Sequence, residues 1–257
     1  MTPDVRRTAR RDGPPPVFML TFERSMDDLQ QASAEKVRSL IERGLHDRGV
    51  FRAALLSVPP AIRDEWLDVV FGLGDLPSDG PDLPRGCVPY VPSSVDALLR
   101  VIEQAPVRGS DIFVDVGSGL GRAAALVHLL TGASVIGLEI QPHLVIAARD
   151  LTARLLLSRI SSVEGDAAKL AGYIPIGSVF FLYCPFGGER LARVLGDLEH
   201  IARTRELRVC CIDLPLPPCS WLTLDPPLAG DLAIYRSTRR DLKEAPTATS
   251  LIRRSCS

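Results

Sequence analysis

Two periods of apolar residues alternate along this chain and lay out its elements. From Ser25 the spacing is helical, with Met26, Leu29, Ala32, Val37, Leu40, Ile41 and Leu45 falling on one side of a cylinder. A second helix is predicted over Val50–Val58 and is broken by Pro59-Pro60. Pro60 then opens a third, with Ile62, Trp66, Val69, Val70 and Phe71 turned inward. Residues 72–86 are rich in Gly, Pro, Asp and Ser and read as a loop or linker. After an extended Tyr90-Val91-Pro92, Ser93 or Ser94 caps another helix.

From there short apolar runs alternate with helical patterns. Ile112–Val116, Ser134–Leu138, Ile160–Val163, Gly177–Tyr183 and Leu207–Ile212 read as strands. Between them lie helical stretches at Ala123–Leu130 (stopped by Gly132), from Pro142 through Leu155, and at Glu189–Ile201. Gly177–Tyr183, Ser178 apart, is a continuous apolar and aromatic run, as a strand covered on both faces must be. Trp221–Leu224 and Leu232–Tyr235 close the series as an antiparallel pair. Alternation of this kind predicts an α/β fold, a Rossmann-like and mostly parallel seven-stranded sheet with helices on both faces. An N-terminal helical appendage precedes it. The expected division is a disordered tail at 1–16, the appendage and linker at 17–86, the α/β domain at 87–237 and a polar C-terminal tail at 238–257.

Composition narrows the setting. Of 257 residues 46% are hydrophobic, ample for a buried core, and the formal net charge of −1 offers no general field for nucleic acid or an acidic membrane. No aromatic-plus-basic stripe speaks for nucleic acid either. Apolar runs fall short of the roughly 18–20 residues of a membrane span. The six cysteines show no C-x-x-C spacing, so free thiols in a reducing cytoplasm are expected, without disulfides and with no metal.

The chemistry concentrates between Asp111 and Glu139. The predicted strand carries Asp115 two residues before the first glycine, and Gly117-Ser118-Gly119-Leu120-Gly121 follows before the next helix. A turn of this kind needs positive φ and lets a ligand approach bare backbone, while the helix behind it presents free N–H groups. Glu139 closes the second strand, where a carboxylate can accept both hydroxyls of a ribose. The dinucleotide fingerprint G-x-G-x-x-G fails at Arg122, and Asp115 beside the turn disfavours a pyrophosphate. Acidic groups there suit a nucleoside bearing positive charge, and S-adenosylmethionine, with its ammonium and sulfonium, is one.

FVDVGSGLGR with GLEI following resembles the class I S-adenosylmethionine-dependent methyltransferases, and their DOT1-like branch in particular. The resemblance runs from about Tyr90 to Tyr235. It implies S-adenosyl-L-methionine as cofactor, held by Asp115, Gly117, Ser118, Gly119, Gly121, Glu139 and Ile140. It also implies that Asp166 accepts the adenine amino group and that the Ala167 N–H donates to the ring. Tyr90 and Ser93 correspond to a tyrosine–proline segment that crosses the methionine end, which makes them candidate cofactor or acceptor-pocket contacts. Tyr183, Cys184 and Phe186 stand at the fourth-strand exit, where the family holds the methyl acceptor. Amino-directed relatives carry Asn or Asp where this chain has Cys184, so the expected side-chain grip on nitrogen is missing. Asp213, Glu189 and His143 are the candidate bases, none with a diagnostic neighbour; His128 and His46 read as structural. The appendage is expected to cover the cofactor, shape the acceptor pocket, extend the core or form a homodimer face. Two other classes stay open: an NAD-dependent oxidoreductase that uses Glu139 for the ribose, and a non-catalytic cofactor-binding partner subunit.

Overall fold

The computed structural model describes residues 26–238, apart from residues 76, 81, 82 and 85. The expected N-terminal tail and nearly all of the C-terminal one lie outside the described residues. Three helices come first: α1 (Asp28–Glu42), α2 (Arg48–Ser57) and α3 (Arg63–Phe71), the last entered through a 3-10 turn at Pro60–Ile62. Asp27 starts α1 with a capping box, its carboxylate accepting from the Gln30 N–H while the Gln30 side chain accepts from the Asp27 N–H. The Asp47 carboxylate accepts from the Val50 N–H to start α2.

The helix expected from the apolar spacing after Ser25 forms as α1, but little of its apolar set is buried. Only Ala34 and Ile41 are buried in this helix, whereas Leu29 is 82% exposed. α1 lies chiefly against α3. A helix with one main neighbour buries a stripe narrower than its apolar positions.

The sheet comprises β1 (Ile112–Val116), β2 (Ser134–Glu139), β3 (Ile160–Glu164), β4 (Val179–Tyr183), β5 (Arg208–Ile212), β6 (Leu222–Ala229) and β7 (Leu232–Ser237). Its order is β3-β2-β1-β4-β5-β7-β6. Strands β1 to β5 run parallel, and β7 enters antiparallel between β5 and β6. β6 runs further than the expected Trp221–Leu224, through Pro226 and Pro227, because it is the edge strand. Prolines withdraw donors that no neighbour needs there, and the pairing shifts register between Asp225 and Ala229.

Five further helices complete the fold: α4 (Val95–Gln104), α5 (Arg122–Thr131), α6 (Pro142–Arg154), α7 (Ala167–Leu170) and α8 (Gly188–Ala202). One apolar core lies between α1–α6 and one face of the sheet, where Phe113 and Phe181 pack with ring centroids 5.7 Å apart. The other lies under α7 and α8 and contains Val114, Val116, Phe180 and Leu182. Strand order reverses between β1 and β4, so their carboxyl ends part into a crevice. Open α/β sheets bind ligands at such a place.

Cys210 and Cys211 are buried in β5, while Cys87, Cys184 and Cys219 are half-buried, all as free thiols. Burial pushes the Cys210 thiol up to about 12 and raises Cys211 as well. Among the described residues no helix is long and apolar enough to cross a membrane, and no cluster of three or more His, Cys, Asp or Glu could hold a metal ion.

Candidate active site

At the crevice lies a cavity of about 270 Å3, near the lower end of the ~300–1,000 Å3 range of small-molecule sites. Its floor is the glycine turn. The N–H groups of Gly117 and Ser118 both donate to the Leu138 carbonyl, at 2.9 and 3.0 Å, which ties the turn to the end of β2. Gly117 adopts φ +85, and a Cβ there would come within 2.8 Å of Pro185 Cβ. At Gly119, φ is +51 and the absent Cβ would fall 2.0 Å from the Tyr90 ring. The bare backbone expected to face a ligand is therefore covered in part by Pro185 and Tyr90. Gly119 and Gly121 shape the turn without lining the cavity, unlike Gly117 and Ser118.

Two carboxylates flank this turn. Glu139, 6% exposed, accepts the Gly119 N–H at Oε2 and the Gln141 N–H at Oε1, each at 2.8 Å. Asp115 is 3% exposed, and its Oδ2 is buried without a partner. Burial and the neighbouring Glu139 charge push the Asp115 carboxyl up to about 7. The Ser118 hydroxyl is likewise buried without a partner, over the space a Cβ at Gly137 would fill. Buried polar atoms are satisfied in the great majority of cases. Two orphans lining one cavity mark a place where a ligand's donors belong.

At the far end of the same cavity Asp166 caps α7, accepting the Ala168 N–H at 3.0 Å, and receives Arg190 Nη1 at 2.7 Å. Ile140 and Ala167 line the wall between Asp166 and Glu139. Another wall is Leu83 with the chain from Cys87 to Ser93, which the sequence presents as linker and helix lead-in. It is fastened across the crevice. Cys87 bridges Phe186, and the Val88 N–H donates to the Pro185 carbonyl at 3.1 Å. Asp79 accepts both the Tyr90 N–H and Gln141 Nε2 at 2.9 Å, while Gly80 N–H donates to Gln141 Oε1 at 2.7 Å. Burial pushes the Tyr90 phenol up to about 12.

The acceptor candidates also meet here. Tyr183, Cys184 and Phe186 line the cavity together with Asp213. Cys184 and Asp213 follow β4 and β5 with φ +45 and +49, left-handed backbone at non-glycine residues. Burial, then the Asp213 charge, raise the Tyr183 phenol. Of the three candidate bases only Asp213 lines the cavity. His143 faces the Ser78 carbonyl at 3.2 Å and Glu189 is exposed. His128 Nδ1 sits 2.8 Å from the Ala133 carbonyl at the end of α5, away from the crevice.

Gln141, Asp79 and Cys87 escape the sequence reading as site residues. For Gln141 the signal was a polar residue between Glu139 and the helix-opening Pro142. Asp79 and Cys87 carried none. Arg122, read from sequence only as the residue that breaks a fingerprint, is 3% exposed and lines the cavity. Its guanidinium turns away from the turn toward α3, donating to Asp68 Oδ1 at 2.5 Å and Asp64 Oδ1 at 2.8 Å.

No family model and no curated protein matches the chain. Solved structures do resemble it. An RNA methyltransferase from Salinibacter ruber in complex with S-adenosyl-L-homocysteine is 24% identical, over 60% of this chain and 97% of that one, with a TM-score of 0.47. The putative methyltransferase yhhF from Escherichia coli is 18% identical over 60% of this chain and 92% of its own, TM-score 0.47. A precorrin-6y C5,15-methyltransferase from Geobacter metallireducens GS-15 is 11% identical over 64% and 100%, TM-score 0.43. Likenesses of this extent leave the activity to the chemistry of the site.

Proposed function

We propose that this chain is a cytoplasmic S-adenosylmethionine-dependent methyltransferase acting on a protein side chain or a small molecule. The observation that carries the reading is the pair Asp115 and Glu139 about a left-handed glycine turn, with Asp115 Oδ2 buried and unpartnered. A ligand ammonium satisfies that oxygen and favours its ionised form, which burial alone opposes. Glu139, already oriented by two N–H groups, keeps lone pairs for ribose hydroxyls. That Asp166, Ile140 and Ala167 line the same cavity as Glu139 supports the adenine roles assigned to them, Asp166 toward the amino group and Ile140 and Ala167 as apolar walls for the ring. Bound S-adenosylmethionine would supply a methyl group activated by its sulfonium. The protein's task is then alignment and exclusion of water, which Tyr90, Tyr183 and Phe186 serve at the acceptor end. Asp213 is the group there able to take a proton from the acceptor.

The finer resemblance, to the DOT1-like branch, rests on Phe113–Ile140 and on the Tyr90-Val91-Pro92 segment over the turn. Cys184 departs from the amino-directed pattern, so the acceptor atom is left unassigned. An NAD-dependent activity fits the cavity less well. The cation nearest the turn, Arg122, is spent on Asp64 and Asp68, leaving two acidic groups to face a diphosphate.

Calorimetric titration with S-adenosylmethionine, S-adenosylhomocysteine and NAD tests the reading. Binding of the two sulfur nucleosides without NAD supports it; binding of NAD alone removes it. Release of S-adenosylhomocysteine on incubation with extract fractions separates an enzyme from a cofactor-binding partner subunit.

A further inference from the structure

Arg122 is the first residue of α5, directly behind the glycine turn. Its position is unusual for a cation, since a helix N-terminus already carries positive partial charge. Four hydrogen bonds hold it. Nε reaches Asp68 Oδ1 at 2.5 Å and Nη1 the Ser93 carbonyl at 2.7 Å. Nη2 reaches the Asp64 carbonyl at 3.1 Å and Asp64 Oδ1 at 2.8 Å. Both aspartates belong to α3, some 54 and 58 residues away in sequence. Asp64 Oδ1 also accepts the Val95 N–H at 2.9 Å, so the same carboxylate joins α3 to the start of α4. The guanidinium is thus the node where the cofactor turn, the Tyr90–Ser93 wall and the N-terminal helices meet. Its side chain is only 4% exposed, while those of Asp64 and Asp68 are 49% and 39% exposed. A buried fork of this kind has one arrangement that satisfies it, and movement of α3 strands the charge.

We propose that Arg122 is a positioning residue that couples filling of the cofactor cavity to the closed arrangement of α3 and the Ser93–Val95 segment. Opening of α3 pulls the guanidinium out of its fork and displaces the first turn of α5, and with it the floor on which the nucleoside rests. A ligand bound only to the closed form therefore suppresses that opening by the factor 1 + [L]/Kd. The N-terminal helices become part of the site without touching the ligand. The inference rests on the cofactor reading above.

Hydrogen-exchange mass spectrometry of the full chain, with and without S-adenosylhomocysteine, tests it. Calorimetry on the same samples reports binding separately. At a ligand concentration of 100 Kd, exchange of the α3 amides and of the Val95 N–H should slow by up to ~100-fold in the unmodified protein. In Arg122→Met that ratio should fall to within ~3-fold of one at matched saturation, while the first turn of α5 stays protected by ligand. A merely structural arginine would raise exchange in free and bound forms alike and leave the ratio unchanged. Should Arg122→Met fail to fold, Asp68→Asn keeps the arginine and carries the same test through a reduced ratio. Binding without protection of α3, or an undiminished ratio in the variant, overturns the coupling alone. No binding to the unmodified protein overturns the cofactor reading, and the coupling with it.

Discussion

The exits of β1 and β4 sit side by side and bend the backbone in the same sense, yet with different residues. After β1 the left-handed positions are glycines, Gly117 at φ +85 and Gly119 at φ +51. After β4, and again after β5, they are Cys184 at +45 and Asp213 at +49. The first exit stores little strain; beside it Glu139 is buried and oriented by two backbone N–H groups, and Asp115 is buried with its Oδ2 unpartnered. The second stores on the order of 1–3 kcal/mol at each such residue. What it gains is a side chain at the bend that lines the crevice, exposed at Asp213 and half-buried at Cys184. One end of the cavity is a fixed cradle for a ligand of one shape. The other is a rim whose chemistry a single substitution can change.

Four measurements break or sharpen that contrast. The largest effect belongs to Gly117→Val, because a β-branched residue opposes φ +85 and its Cβ meets Pro185 at 2.8 Å. Left-handed strain and overpacking together should cost about 2–6 kcal/mol in urea unfolding, with nucleoside binding abolished. A variant as stable and as competent as the parent would show that the cradle is not rigid.

Next comes pH. The Asp115 carboxyl stays protonated up to about 7 in the folded protein, against 3.8 ordinarily. Between those values the folded state binds more protons than the unfolded state, so stability falls as pH rises from about 4 to about 7, by at most roughly 1.4 kcal/mol per pH unit. Above about 7 the effect is fully developed and flat. A ligand ammonium favours the ionised form, so binding should tighten as pH rises through this window. Thermal melts with and without S-adenosylhomocysteine from pH 5 to 8 read both slopes. Asp115→Asn should remove them, and a slope that survives the substitution assigns the titration elsewhere.

A third comparison sets Glu139→Gln against Asp213→Asn. The first should weaken S-adenosylhomocysteine binding by about 1.5–3 kcal/mol. Glutamine is preferred to alanine because its one amide oxygen keeps an acceptor for one of the Gly119 and Gln141 N–H groups that Glu139 holds. Asp213→Asn should leave that affinity within about 0.5 kcal/mol while lowering turnover of an identified acceptor. Equal losses of affinity in both variants would erase the division between the two ends. Smallest of all, Cys184→Gly and Asp213→Gly should each raise stability by up to about 1 kcal/mol, the relieved strain less glycine's greater unfolded entropy. Denaturant midpoints give the sign.

The sheet was legible because its signals are local. Strands β1, β2, β4 and β5 coincide with short, mostly apolar runs, and Gly132 or Pro142 marks a helix end within a residue or two. The glycine turn and Glu139 were legible for the same reason, lying inside one strand–helix–strand unit. What the chain could not display is pairing across distance. Nothing near Arg122 in sequence announces Asp64 and Asp68, and Asp79 sits in a stretch with the composition of an ordinary loop. The exposure of Leu29 follows from how few elements pack on α1, a property of the assembled fold alone. Cys184 and Asp213 were visible as residues, whereas their left-handed backbone was not, since neither is a type that turn chemistry requires there.

The distribution of thiols gives the protein a gauge of its own occupancy. Cys210 and Cys211 are sealed inside β5 and, with ionisation pushed far above neutrality, stay silent toward an alkylating reagent. Cys87 and Cys184 stand on the cavity wall, and Cys219 lies apart from it, half-buried. Among the thiols of the described residues, two modifications should therefore slow when a nucleoside fills the crevice while that of Cys219 keeps its pace, an internal clock for timing the other two.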